Sequence, residues 1–140
     1  MLKQDIKLTV DAVVFSKEGD VLRILLIQRK NDPYKGHWAL PGGFVEDDED
    51  LEPAARRELE EETGLRADKM TQLYTIGTPG RDPRGRTVSV VYYTFVDAKA
   101  HTIKGADDAA AAAWFDINTL PPLAFDHQDI VNQALVTVNK

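Results

Sequence analysis

Four glutamates, Glu58, Glu60, Glu61 and Glu62, stand within five consecutive positions of the run RRELEEETG. On a helix, side chains three and four apart are neighbours, so Glu58, Glu61 and Glu62 share one side while Glu60 turns away. Carboxylates grouped in this way are either solvated, at a mutual repulsion of roughly a few tenths of a kcal/mol per pair, or gathered around a cation. Oxygen-only donors suit hard divalent ions such as magnesium or manganese. Glu49 precedes the run and can fold back toward it. Arg57 can hold a neighbouring carboxylate through paired charge-assisted hydrogen bonds.

The chemistry needs a helix, and the local sequence supplies one. Leu51, Ala54, Ala55 and Leu59 fall on one face at helical spacing, which predicts a helix over Leu51–Thr63. Asp50 is a suitable N-cap, Pro53 sits in the first turn where its missing N–H is not needed, and Gly64 stops the helix. Ahead of it, DIKLTVDAVVF and VLRILLIQRK, parted by SKEGD, predict a β-hairpin, and HWALP a short strand. After it come a strand in QLYTIGT, a loop in PGRDPRGR, a strong strand in TVSVVYYTFVDA and a short one in AAAWFDI. A final helix from about Asp126 carries Ile130, Val131, Ala134, Leu135 and Val138 on one stripe. Grouped strands with two inserted helices favour an α+β class, layered as an α/β/α sandwich, over a doubly wound parallel sheet.

A length of 140 residues suits a single domain over 1–140. The absence of cysteine removes thiol nucleophiles, disulfides and cysteine-ligated metals, and fits a cytoplasmic, reducing setting. No stretch is apolar for long enough to be a signal peptide or membrane span, so no membrane partner is expected. A net charge of −6 argues against nucleic acid as a partner, which calls for a basic face.

From Gly43 the spacing runs five residues to Glu49, then seven more to the Arg57-Glu58-Leu59 triplet, Glu61-Glu62 and Gly64-Leu65. This resembles the Nudix box, G-x5-E-x7-R-E-U-x-E-E-x-G-U with U a bulky aliphatic, and all nine fixed positions are filled across 23 residues. The flanks LLIQRK…GHWALPGGFVE and WFDINTLPPLAFDH are similar to the matching parts of Nudix hydrolases, so the resemblance covers nearly the whole chain. It implies an α/β/α sandwich with a mixed β-sheet flanked by helices, and metal-dependent hydrolysis of a nucleoside diphosphate linked to another moiety. By the same resemblance Glu58, Glu61 and Glu62 ligate Mg2+ or Mn2+ with help from the Gly43 carbonyl, Arg57 and Glu49 orient them, and Gly42 with Gly43 adjoins the substrate. Relatives are often homodimers.

The general base must be a carboxylate, since cysteine is absent and histidine is scarce. Glu61 and Glu62 are the candidates, with Asp107 and Asp108 as alternatives from a later loop. Many relatives carry a glutamate before the WF pair, where this chain has alanine at 109–113, which puts that loop's contribution in doubt. The segments GTPGRDPRGRTVSVVYYTFV and LAFDHQDIV look like those of ADP-ribose pyrophosphatases, implying cleavage of ADP-ribose to AMP and ribose 5-phosphate. Arg29, Arg81, Arg84 and Arg86 are available to pair with phosphate or carboxylate, with at least one of the three loop arginines only solvated. Trp38 reads as core rather than as an adenine stacker, and only one of Tyr92 and Tyr93 can face inward. His127 can stack on a base or cap the last helix, a task for which Asp126 is better suited. The competing readings are a nucleoside triphosphate pyrophosphohydrolase that removes oxidised nucleotides, and an ADP-ribose sensor that binds without hydrolysis. Sensors of that kind carry an extra DNA-binding winged helix, for which a chain ending at Lys140 leaves no room.

Overall fold

The computed structural model describes residues 4–104 and 109–139. The hairpin forms from β1 (Lys7–Glu18) and β2 (Val21–Arg29), antiparallel, with Glu18 opposite Val21 and Gly19 at φ 60° turning the corner. Two short strands follow, β3 (Trp38–Ala39) and β4 (Gly42–Phe44), and then helix α1 (Leu51–Thr63). β5 (Thr71–Ile76), β6 (Thr87–Phe95), β7 (Ala109–Asp116) and helix α2 (His127–Val138) complete the order. All seven strands join one sheet, in the order β3-β2-β1-β6-β5, with β4 added to β1 and β7 to β2. Among the described strands the β1–β6 pairing alone is parallel, which makes the sheet mixed.

Alternation along β1 builds the layers, because successive side chains point to opposite faces of a strand. Val10, Ala12 and Val14 pack with Ala54, Ala55 and Leu59 of α1, while Val13 and Phe15 pack with Ile130, Val131 and Ala134 of α2. One helix therefore covers each face, the expected sandwich. The small residues Ala54 and Ala55 let α1 approach the sheet closely, and burying Leu59 contributes about 2 kcal/mol. Trp38 joins the α2-side core, its ring edge-on to Phe115 at 4.7 Å, and so is core as its position suggests. Tyr92 is buried and Tyr93 half-buried on the opposite face. The alanine run enters β7 along β2, with Ala113 opposite Leu26. Among the described residues no helix is long and apolar enough to cross a membrane.

Candidate functional site

The termini of α1 form as their residues dictate. Asp50 Oδ1 accepts the Leu51 N–H at 2.7 Å, and Gly64, left-handed at φ 77°, returns its N–H to the Glu60 carbonyl. Between them, Arg57 is the hub of the acidic face. Its Nε and Nη2 donate to the two oxygens of Glu49 at 2.6 and 2.9 Å, and Nη2 also donates to the Phe44 carbonyl at 3.0 Å. Its Nη1 donates to Glu58 at 2.8 Å and to Glu61 at 3.1 Å. Glu60 turns away and pairs with Arg66 on the surface. The hydrogen bonds from Arg57 hold Glu49 below the usual carboxylate range and push the guanidinium further up. Glu58 is different: burial raises its carboxyl, against the opposing pull of Arg57.

Glycine is required where β4 meets this face. The Gly42 N–H donates to Glu62 Oε1 at 2.7 Å, and a side chain there would run into the Val10 carbonyl and Asp11. A Cβ on Gly43 would stand 2.6 Å from the Glu58 carboxyl carbon. The glycine pair thus lets the Glu58 and Glu62 carboxylates close onto the backbone of the neighbouring strand.

Glu58, Glu61 and Glu62 share the acidic face, each held by a partner of its own. Among the described residues no group of three acidic or histidine side chains is arranged to hold a metal ion. The carboxylates answer their mutual repulsion with Arg57, which lies between Glu58 and Glu61, while Glu62 is directed under Gly42. The donor set still fits a hard cation. Glu58 and Glu61 reach one nitrogen, so their oxygens are near neighbours, and both offer the oxygen donors that a hard cation takes.

Arg57, Glu58 and Glu62 line a cavity of about 430 Å³, a size suited to a nucleotide-scale ligand. Arg29, Arg81 and Arg84 line the same cavity with Asp82 and Phe125, as do Gly42 and Gly43. Glu61 and Arg86 are not among the lining residues, and Arg86 is solvent-exposed. Arg81 donates through Nε and Nη2 to both oxygens of Asp126, at 2.9 and 2.8 Å, and its side chain is only 6% exposed. Asp126 occupies the N-cap position of α2, but its carboxylate makes no cap bond because it is spent on Arg81, a correction to the expected capping role. Arg84 pairs with Asp82, and the guanidiniums of Arg29 and Arg84 lie 5.0 and 5.5 Å from the Phe125 ring centre. Phe125 holds φ at 53°, a conformation costing on the order of 1–3 kcal/mol that turns the chain at the cavity wall.

Sequence reasoning passed over the cavity floor. Asp11 is buried and accepts a hydrogen bond from Ser89 Oγ; His127 Nε2 lies 3.7 Å from its other oxygen. A lone aspartate inside the apolar strand TVDAVVF was the available signal. His127 is buried at the start of α2, lines the cavity, and accepts the Leu40 N–H through Nδ1 at 3.0 Å. Asp107 and Asp108 lie outside the described residues.

A family model described as NUDIX domain matches residues 5–134. The chain is 50% identical over 113 residues to an ADP-ribose pyrophosphatase of Methanocaldococcus jannaschii, covering 81% of this chain and 66% of that protein. It thus spans just under two thirds of the length of that curated relative. The NUDIX domain of Shewanella oneidensis NrtR, solved with ADP ribose, superimposes at TM-score 0.90 with 35% identity, over 97% of this chain and 90% of that one. NrtR from the same organism in complex with a 27mer DNA matches at TM-score 0.78 with 36% identity, over 94% of this chain and 61% of that one. That complex overturns the expectation of no nucleic-acid partner. A net charge is a sum over a whole surface and does not report a local basic face, so −6 is no ground for exclusion.

Proposed function

Because the chain belongs to the Nudix family, we propose that it hydrolyses the pyrophosphate of nucleoside diphosphate derivatives, with ADP-ribose preferred and AMP and ribose 5-phosphate as products. The observation that carries this reading is the cavity itself, whose lining brings Glu58 and Glu62 of the box together with Arg29, Arg81 and Arg84. The 50% identity to an ADP-ribose pyrophosphatase supports the choice of substrate. Nudix-box enzymes depend on divalent cations, and Mg2+ or Mn2+ is the proposed ion here, held by Glu58, Glu61 and Glu62 with the Gly43 carbonyl. When bound, such an ion offsets pyrophosphate charge, lowers the pKa of water and steadies the leaving oxygen. The chain's own residues do the rest. Arg57 keeps Glu58 and Glu61 side by side, and Glu49 keeps Arg57 in place. Arg29 and Arg81, the latter anchored on Asp126, add positive charge to the cavity lining, while Arg86 is outside it. Of the two box bases, Glu61 is open to water with its side chain 42% exposed, whereas Glu62 is buried against Gly42. Glu61 is therefore the proposed proton acceptor. One continuous sheet with a core on each face supports a single domain, and the lack of cysteine supports a cytoplasmic setting.

The test is release of AMP from ADP-ribose with Mg2+ or Mn2+, beside NADH, diadenosine polyphosphates and nucleoside triphosphates. Preferred turnover of ADP-ribose supports the reading. Turnover only of triphosphates replaces the substrate and keeps the box chemistry. The likeness to the NrtR domain solved with ADP ribose favours a second reading, ligand sensing. ADP-ribose bound without turnover would select it.

A further inference from the structure

The approach to the glycine pair is held at successive points, by side chains at Leu40 and Gly42 and by backbone at Pro41. Ala12 N–H donates to the Pro41 carbonyl at 2.8 Å, and Gly42 N–H donates to Glu62 at 2.7 Å. The first point is His127, whose Nδ1 accepts the Leu40 N–H at 3.0 Å across 87 residues of sequence, with both groups buried. The segment before His127 runs along the same strand: Ala124 N–H donates to the Trp38 carbonyl at 2.8 Å, and Leu123 bridges Trp38 in parallel. The start of α2 is thereby tied to the backbone that leads into Gly42 and Gly43.

We infer that His127 is a positioning residue for the reaction, acting through its Nδ1 lone pair on Leu40 to set the Gly42–Gly43 backbone against Glu58 and Glu62. The inference rests on the proposed hydrolysis for its kinetic consequence, but not for its geometry. Leu40 N–H is a donor, so Nδ1 must be unprotonated and the ring proton must be on Nε2. The Asp11 carboxylate, 3.7 Å from Nε2 and fixed by Ser89, favours that tautomer. Burial pushes the imidazole below its ordinary range and keeps it neutral. A backbone shift on the order of 1 Å at such a site costs about 100-fold in rate.

Two substitutions separate the ring nitrogens. In asparagine the amide oxygen is one bond from Cγ, as Nδ1 is, so His127→Asn can still accept from Leu40. In glutamine the amide lies one bond further out, in the place of Nε2, so His127→Gln loses the Leu40 acceptor. With ADP-ribose as substrate, His127→Asn should keep kcat within about threefold, and His127→Gln should lose at least about tenfold in kcat with KM nearly unchanged. Hydrogen–deuterium exchange of the Leu40 amide gives a readout free of activity: it should stay slow in His127→Asn and speed up at least about tenfold in His127→Gln. Equal kcat in the two variants, or a rise in KM alone for His127→Gln, overturns the inference, the second by placing Nε2 on substrate. A folded His127→Asn with lost kcat also overturns it, which covers the case of a Gln variant that does not fold. If the wild type cleaves no nucleoside diphosphate derivative, the proposed function fails, and Leu40 exchange alone then decides on the positioning role.

Discussion

Replacing Gly43 with alanine should separate the stability of this protein from its activity. The new Cβ would stand 2.6 Å from the Glu58 carboxyl carbon and one of its oxygens, and 2.8 Å from the other. Ordinary contact needs about 3.5 Å, so the carboxylate must retreat by roughly 1 Å. It can do so, because it is the end of a flexible side chain, at the cost of its bond to Arg57 Nη1. That charge-assisted bond is worth about 1.5–3 kcal/mol, offset by about 0.4–1 kcal/mol from the lower entropy of the unfolded chain without the glycine. The net loss is about 1.5 kcal/mol, a fall in Tm of roughly 5 °C for a domain of this size. Turnover should fall far more, by about 100-fold, since a carboxylate of the box has moved about 1 Å. Gly42→Ala is the control, because its Cβ meets the Val10 backbone, which cannot step aside. It should cost more than about 3 kcal/mol and deplete folded protein outright. Thermal melts and steady-state kinetics on both variants decide the matter. A Gly43→Ala protein that melts near wild type and turns over at the wild-type rate would refute the claim that Glu58 must close onto Gly43.

Glu61→Gln should lower kcat by about 100- to 10,000-fold while the melting curve stays within a few degrees; surviving activity would remove Glu61 as base and as essential ligand. Mg2+ or Mn2+ at 100 times its dissociation constant should stabilise the wild type by about 2.7 kcal/mol, near 9 °C in Tm, and no shift at millimolar metal would count against the site. Asp126→Asn leaves the buried Arg81 guanidinium without its counter-charge and should cost about 3 kcal/mol, near 10 °C. Adding Arg81→Met should recover part of that loss, and strict additivity would dissolve the coupling. His127 is neutral in the fold because burial lowers its pKa, so the unfolded chain binds the extra proton first. Its contribution is whole above pH of about 6.5 and is lost as pH falls from there toward the folded value, at up to about 1.4 kcal/mol per unit. Denaturant titrations from pH 7.5 to 5 should show that slope in the wild type and a shallower one in His127→Asn; identical slopes would clear His127 of the effect.

Much of this protein is legible along the chain because the signals are local. Helix α1 begins at Leu51 and ends at Thr63 where periodicity, Asp50 and Gly64 place it, since caps and stops act within one turn. The box is local too: its spacing brings Glu58, Glu61 and Arg57 together by helical geometry alone, and Glu49 is only eight residues from Arg57. The two faces of β1 follow from a period of two. Other features depend on contacts between residues remote in sequence, which have no period and leave no spacing to read. Arg81, Arg84 and Arg86 are alike as letters, yet one is buried on Asp126, one pairs with Asp82 beside Phe125, and one faces solvent. Only docking of the loop onto the start of α2 distinguishes them. Composition likewise gave no ground to exclude nucleic acid, because a summed charge has no position. The sequence by itself determined which carboxylates form the acidic face and the helix that carries them. Tertiary structure alone decided that Arg57 occupies its centre, that Gly42 and Gly43 close over Glu62 and Glu58, and that Asp11 and His127, 116 residues apart, meet beneath the cavity. Those contacts exist only once the sheet has brought both ends of the chain to one place.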